Sequence, residues 1–101
     1  MDKIPVFDGQ QLESISRLLA DTDEGLVGSQ IGHLLEECRM SDPTPSMTKW
    51  KRLYNAFVEA QNEYKLGNHV VMFINRVMKP VLYTTNPVGF TKRRNQLNAI
   101  L

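Results

Sequence analysis

The sequence predicts an all-α fold, a compact bundle of about five helices in a single domain spanning residues 1–101. Two observations carry this. Apolar residues recur three and four apart in five separate segments, which is the spacing of one helix face. Between those segments stand Gly, Pro and Asp clusters that stop helices and make turns.

Asp8 opens the first element. Its carboxylate suits the free N–H groups of a helix start, and Gln11 stands three residues on, a capping-box arrangement. Leu12, Ile15, Leu18 and Leu19 follow at helical spacing, giving a helix from about Gly9 to Ala20. DTDEG ends it, with Gly25 as a turn residue. Ser29 reads as the next N-cap, and Ile31, Leu34, Leu35 and Cys38 form the stripe of a second helix from about Gln30 to Met40. SDPTPS forbids its continuation, because proline lacks the N–H and restricts the residue before it.

A third helix, about Met47 to Lys65, carries Trp50, Leu53, Tyr54, Phe57, Val58 and Gln61 on one wide stripe. Gly67 marks its stop. Asn68 caps a fourth helix holding Val70, Val71, Phe73, Ile74, Val77 and Met78, which Pro80 ends. VLYTT reads as extended. Asn86 before Pro87 then starts a fifth helix, from Pro87 or Val88 to Leu101, burying Phe90, Leu97 and Ile100. The expected core includes Leu18, Ile31, Leu34, Leu35, Trp50, Leu53, Phe57, Val71, Ile74 and Leu97. The chain stops on LNAIL inside a helical pattern, which suggests the N-terminal module of a longer protein.

With 42% hydrophobic and 23% charged residues, the composition is that of a soluble globular chain. No apolar run approaches the roughly 20 residues that cross a bilayer, so no membrane partner is expected. The N-terminus has no apolar signal core, and the single Cys38 has no internal disulfide partner, which points to a reducing, cytoplasmic setting.

The net charge of +1 hides a split. Residues 1–48 hold nine acids and three bases, a net of −6; residues 49–101 hold two acids and nine bases, a net of +7; the two sum to +1. Such a split means either a basic face for an anionic partner or two halves that neutralise each other on packing.

Enzymatic chemistry finds little support in these residues. His33 and His69 have no Cys or carboxylate at metal-ligand spacing, so neither metal nor cofactor is expected. Cys38 on an apolar stripe reads as a small core residue. Asp21, Asp23 and Glu24 lack the ligand set of a calcium loop. Gly25 and Gly28 form no phosphate cradle with a following Lys and Ser or Thr.

The basic clusters remain. Lys49, Lys51 and Arg52 share the start of the third helix; Lys92, Arg93 and Arg94 share the fifth. Arg76 and Lys79 end the fourth helix, where cations complement the helix dipole. Cations at a helix start are mildly disfavoured by that dipole, which makes TKWKR the more informative cluster. The first half also reads like a winged-helix or helix-turn-helix unit, which would put TKWKR at the N-terminal end of a recognition helix and make nucleic acid a partner. Trp50 lies on the apolar stripe and so argues for packing instead. Pairing of Lys51 or Arg52 with Glu36, Glu37 or Asp42 would mean internal neutralisation.

Beside this reading stands a resemblance. The IGHLL helix, the DPTP linker, TKWKRLYNAF, the GNHVVMFI turn and helix, and MKPVLYT before FTKRRNQLN resemble, in order and spacing, the N-terminal region of a bacterial and phage family of conserved hypothetical proteins of the Ymh type. The resemblance covers nearly the whole chain. It implies a two-part full-length protein whose C-terminal part is a HEPN-like helical domain, a class linked to RNA cleavage in toxin and abortive-infection systems. That activity depends on an Arg followed by His in a segment like Asn-Pro-X-X-His, which this chain lacks: Arg17 and His33 are too far apart, and His69 has no suitable Arg before it. The resemblance therefore implies no catalytic residue here. It implies a non-catalytic recognition or assembly module, with the HEPN-like domain and self-association as partners.

Overall fold

The structure, a computed structural model, describes residues 3–21, 25–78 and 87–100, with the side chains of 87–91 and 93 left aside. Among them five helices follow one another: α1 (Gly9–Leu19), α2 (Gly28–Glu37), α3 (Lys49–Tyr64), α4 (Asn68–Val77) and α5 (Pro87–Ile100). There is no strand among the described residues. The all-α bundle expected from periodicity is the fold observed. Its radius of gyration, 12.8 Å, is that of a packed chain of this length, about 13 Å. The expected extended reading of VLYTT and burial of Phe90 lie outside the described residues.

α1 starts as its sequence dictates. Asp8 Oδ1 accepts from the Gln11 backbone N–H at 2.7 Å, and Gln11 Oε1 accepts from the Asp8 N–H at 3.0 Å. Each side chain satisfies an orphan donor of the other residue. The turn after α1 places Gly25 so close to the preceding chain that a Cβ there would lie 2.2 Å from the Asp21 backbone nitrogen, so only glycine fits.

α2 differs from expectation at both ends. Val27, not Ser29, is the N-cap, and its N–H donates to Gln30 Oε1 at 2.9 Å. The helix therefore begins at Gly28, earlier than Gln30. It stops at Glu37, short of Met40, because Arg39 turns left-handed (φ 57°). The Met40 N–H donates to Leu35 O and the Arg39 N–H to Glu36 O, the paired closure of a Schellman motif, with Leu35 and Met40 both buried. α3 starts at Lys49, two residues after the expected Met47, and closes as expected near Lys65, though its left-handed C-cap is Lys65 (φ 59°) rather than Gly67; Gly67 rather than Asn68 is the N-cap of α4. α5 begins at Pro87, as its sequence signal predicts.

α1 packs against α3 and α5, α3 also against α4 and α2, and α2 against α4. One core joins them: Leu12, Ile15 and Leu19 from α1, Ile31 and Leu35 from α2, Leu53 and Phe57 from α3, Val70, Phe73 and Val77 from α4, and Leu97 from α5. Phe57 and Phe73 meet edge to face at 5.3 Å, the geometry their ring quadrupoles favour. Of the expected core, Ile31, Leu35, Leu53, Phe57, Ile74 and Leu97 are buried, whereas Leu18, Leu34, Trp50 and Val71 are half-buried at its margin. For Val71 the reason is angular: Val70 holds the inward position, and one residue on, the helix has turned by about 100°.

Candidate functional site

The TKWKR stretch, Thr48 to Arg52, begins α3, where α1, α2 and the segments joining α1 to α2 and α2 to α3 meet it. Its cations meet different fates. Arg52 turns inward. Its Nε donates to both Asp42 carboxylate oxygens at 3.1 Å and its Nη2 to Oδ2 at 2.6 Å, a forked pair. Its Nη1 donates to Gly28 O at 3.0 Å. The side chain is only 13% exposed and that of Asp42 26%. The hydrogen bond to Asp42 raises the Arg52 pKa further above its ordinary value, against the opposing effect of burial.

Two glycines one turn apart on α2 line this guanidinium, and Gly32 is the one whose missing Cβ gives it room; at Gly28 a Cβ would make only ordinary contact. A Cβ at Gly28 would sit 3.6 Å from Nη1, and one at Gly32 would sit 3.0 Å from Nη2. GSQIG is thus the floor of an arginine site. Asp42 reaches it because residues 38–48 form a connection far longer than the 3–4-residue turn of a helix-turn-helix unit.

Lys49 is likewise internal in role. Its Nζ donates to Asp21 O at 3.2 Å and to Leu26 O at 3.0 Å, tying the start of α3 to the segment between α1 and α2. The cluster therefore answers the charge-split question in part: Arg52 is neutralised across the two halves by Asp42. Arg76 and Glu37 make a second such link, at 3.4 Å, between α4 and α2. Glu37 also accepts from His33 Nε2 at 2.9 Å, so, contrary to the sequence expectation, a carboxylate does stand one helical turn from this histidine, though no third ligand joins them among the described residues.

Lys51 faces outward, and it does so beside Trp50. The indole is half-buried against the core. Arg17 of α1 lays its guanidinium over that ring at 3.9 Å, and Lys51 Nζ lies 5.8 Å from the ring centroid. Tyr54 meets Trp50 edge on at 6.4 Å. Arg17 is 56% exposed and has Glu13 Oε2 at 3.7 Å from its Nε, one turn earlier on α1. A cation this near the ring face is held by the ring quadrupole, so this seam between α1 and α3 presents a charged donor group over an aromatic base. Sequence reasoning passed over Arg17. The only available signal was its position in the last turn of α1, and nothing local in sequence links it to Trp50.

On α5, Lys92 and Arg94 are exposed; the side chain of Arg93 lies outside the described residues. Among the described residues no three metal-ligating side chains converge. Cys38 is buried, and burial pushes its thiol pKa up, away from the reactive thiolate. No helix among the described residues is long and apolar enough to cross a membrane.

The class defined by these features is a helical domain with a cation–aromatic seam on its surface and a partly buried Arg52–Asp42 ion pair beside it. Comparison with protein-family models, with curated proteins and with solved structures finds no match.

Proposed function

We propose that the chain is a non-catalytic N-terminal recognition and assembly module of a HEPN-containing bacterial anti-phage defence protein of the abortive-infection or toxin kind. The family resemblance suggests the setting, and any ribonuclease chemistry belongs to the C-terminal HEPN-like domain. The observation that supports recognition is the seam of Arg17, Trp50 and Lys51. Trp and Arg are the side chains that most often anchor protein interfaces, because each combines a large apolar face with directed donors. Here the Arg17 guanidinium already lies over the Trp50 ring, so ordering the pair on binding costs less further entropy.

Trp50 is the chain's only tryptophan, so its emission reports on the seam directly. The test adds the HEPN-like C-terminal domain of the full-length protein, and separately raises the concentration of the chain itself, while emission and sedimentation are followed. A saturable emission change with a matching rise in mass, weakened at least tenfold by Arg17→Ala with Lys51→Ala, is expected. No change in either signal contradicts the proposal.

A second reading is a DNA- or RNA-binding helical domain. It draws on the exposure of Lys51, Lys92 and Arg94. It is weakened at Lys49 and Arg52, whose donors are directed at the fold's own carbonyls and carboxylate.

A further inference from the structure

Residues 4–7 lie across the corner where α3 gives way to α4, and they are held there by their backbone. The Gly67 N–H donates to Ile4 O at 2.8 Å, and the Ile4 N–H donates to Asn68 Oδ1 at 2.8 Å. Three residues on, the Phe7 N–H donates to Gln61 Oε1 at 2.9 Å, and Gln61 Nε2 returns a bond to Phe7 O at 3.0 Å. Gln61 is 8% exposed, a polar side chain inside the apolar stripe of α3. Such burial is tolerated when the amide's donor and acceptor are both matched, and the Phe7 backbone matches them.

The corner is shaped for a passing chain. A Cβ at Gly67 would lie 2.6 Å from Pro5 O and 3.2 Å from the Phe7 ring, so glycine at this position is what lets the segment come so near. Ile4 and Phe7 are half-buried, and Phe7 packs on the core, while Pro5 and Val6 face out, Val6 with 51% of its surface exposed. Four hydrogen bonds to main chain, with a half-buried Ile4 and, three residues on, Phe7 packed on the core, are the recognition pattern of an extended-peptide site: backbone bonds give affinity and the spaced side chains give selectivity.

We propose that the α3–α4 corner, formed by Gln61, Gly67 and Asn68, is a peptide-binding site that residues 4–7 occupy in cis, and that a partner's extended segment of the same chemistry replaces them in trans. The ligand is an extended stretch with an apolar residue, two outward-facing residues and an aromatic one, as in Ile-Pro-Val-Phe. This rests on the recognition-and-assembly reading and gives it a second, independent contact. An internal strap competes at an effective concentration of about millimolar, so it lowers the apparent affinity of any partner and makes engagement depend on a partner held nearby.

The test uses the full chain and a fluorescein-labelled peptide of residues 3–8, followed by anisotropy, with helicity checked by circular dichroism. The strap is loosened by Ile4→Ala with Phe7→Ala. The loosened chain, with unchanged helicity, is expected to bind the peptide at least tenfold more tightly than wild type. A peptide N-methylated at the phenylalanine nitrogen, which removes the donor to Gln61, is expected to bind at least tenfold more weakly. Loss of helicity in the loosened chain would show the strap to be core and overturn the proposal. So would binding no tighter than that of wild type, or indifference to N-methylation. None of these results bears on the Trp50 seam, so the two proposals fail separately.

Discussion

Asp42→Asn removes the charge that faces Arg52 while keeping the shape of the side chain. Three contacts are affected, two at 3.1 Å and one at 2.6 Å, all from a cation that is 13% exposed. Removing one partner of a fully buried pair costs about 3–5 kcal/mol, and a hydrogen bond to a charged group contributes about 1.5–3 kcal/mol. Asp42 is 26% exposed, and Arg52 keeps its bond to Gly28 O, so water and the carbonyl offset part of the loss. The expected destabilisation is therefore about 2–3 kcal/mol, below the fully buried figure. In a domain of this size that lowers Tm by roughly 10–15 °C. Urea melts of wild type, Asp42→Asn, Arg52→Met and the double variant give the coupling energy, expected above about 1 kcal/mol. The exposed Arg17–Glu13 pair, at 56% and 49%, serves as the comparison and should show coupling of only a few tenths, as surface pairs do. A loss below about 0.5 kcal/mol for Asp42→Asn would place Arg52 among such surface pairs and refute its role as an internal tie.

Other substitutions probe separate links. Arg39→Gly relieves a left-handed residue at the α2 terminus and should stabilise by about 0.5–1 kcal/mol in a thermal melt; Lys65→Gly should act alike at the end of α3. Ser16 is wholly buried and its Oγ has no partner among the described residues, so Ser16→Ala should leave stability unchanged or raise it by up to about 1 kcal/mol. Cys38 should react with a thiol reagent only as fast as the chain unfolds. Burial raises its folded pKa above the unfolded value, so the protonated thiol favours the fold. That contribution is complete below the unfolded thiol's pKa and is lost as pH rises through the folded one, which an alkaline melt series of wild type against Cys38→Ala would show.

What was legible in the sequence was local. The Asp8–Gln11 box, the Pro87 helix start and the 3–4 spacing of Leu12, Ile15 and Leu19 each depend on neighbours within one turn. The ends of α2 were misread because their signals contradict side-chain habit. Val27 has no capping oxygen and relies on Gln30, while Arg39 adopts a backbone that glycine adopts more readily. The site was less legible still. Arg52 was visible as a cation, but its partners lie 10 and 24 residues away, and its seat is tightest against Gly32 of another helix. Gln61 was visible only as a polar residue on the apolar stripe of α3. Its pairing with Phe7, 54 residues away, exists only in the folded chain.

The central claim is that Lys49 and Arg52 serve the fold and that recognition falls to the seam around Trp50. Titration of labelled duplex DNA and labelled RNA with the wild-type chain, across a salt series and against Lys51→Ala, tests it most directly. The account predicts no saturable binding at physiological salt and no difference between the two chains. Tight binding that falls steeply with salt, and weakens in Lys51→Ala, would contradict it and make TKWKR an electrostatic reading surface.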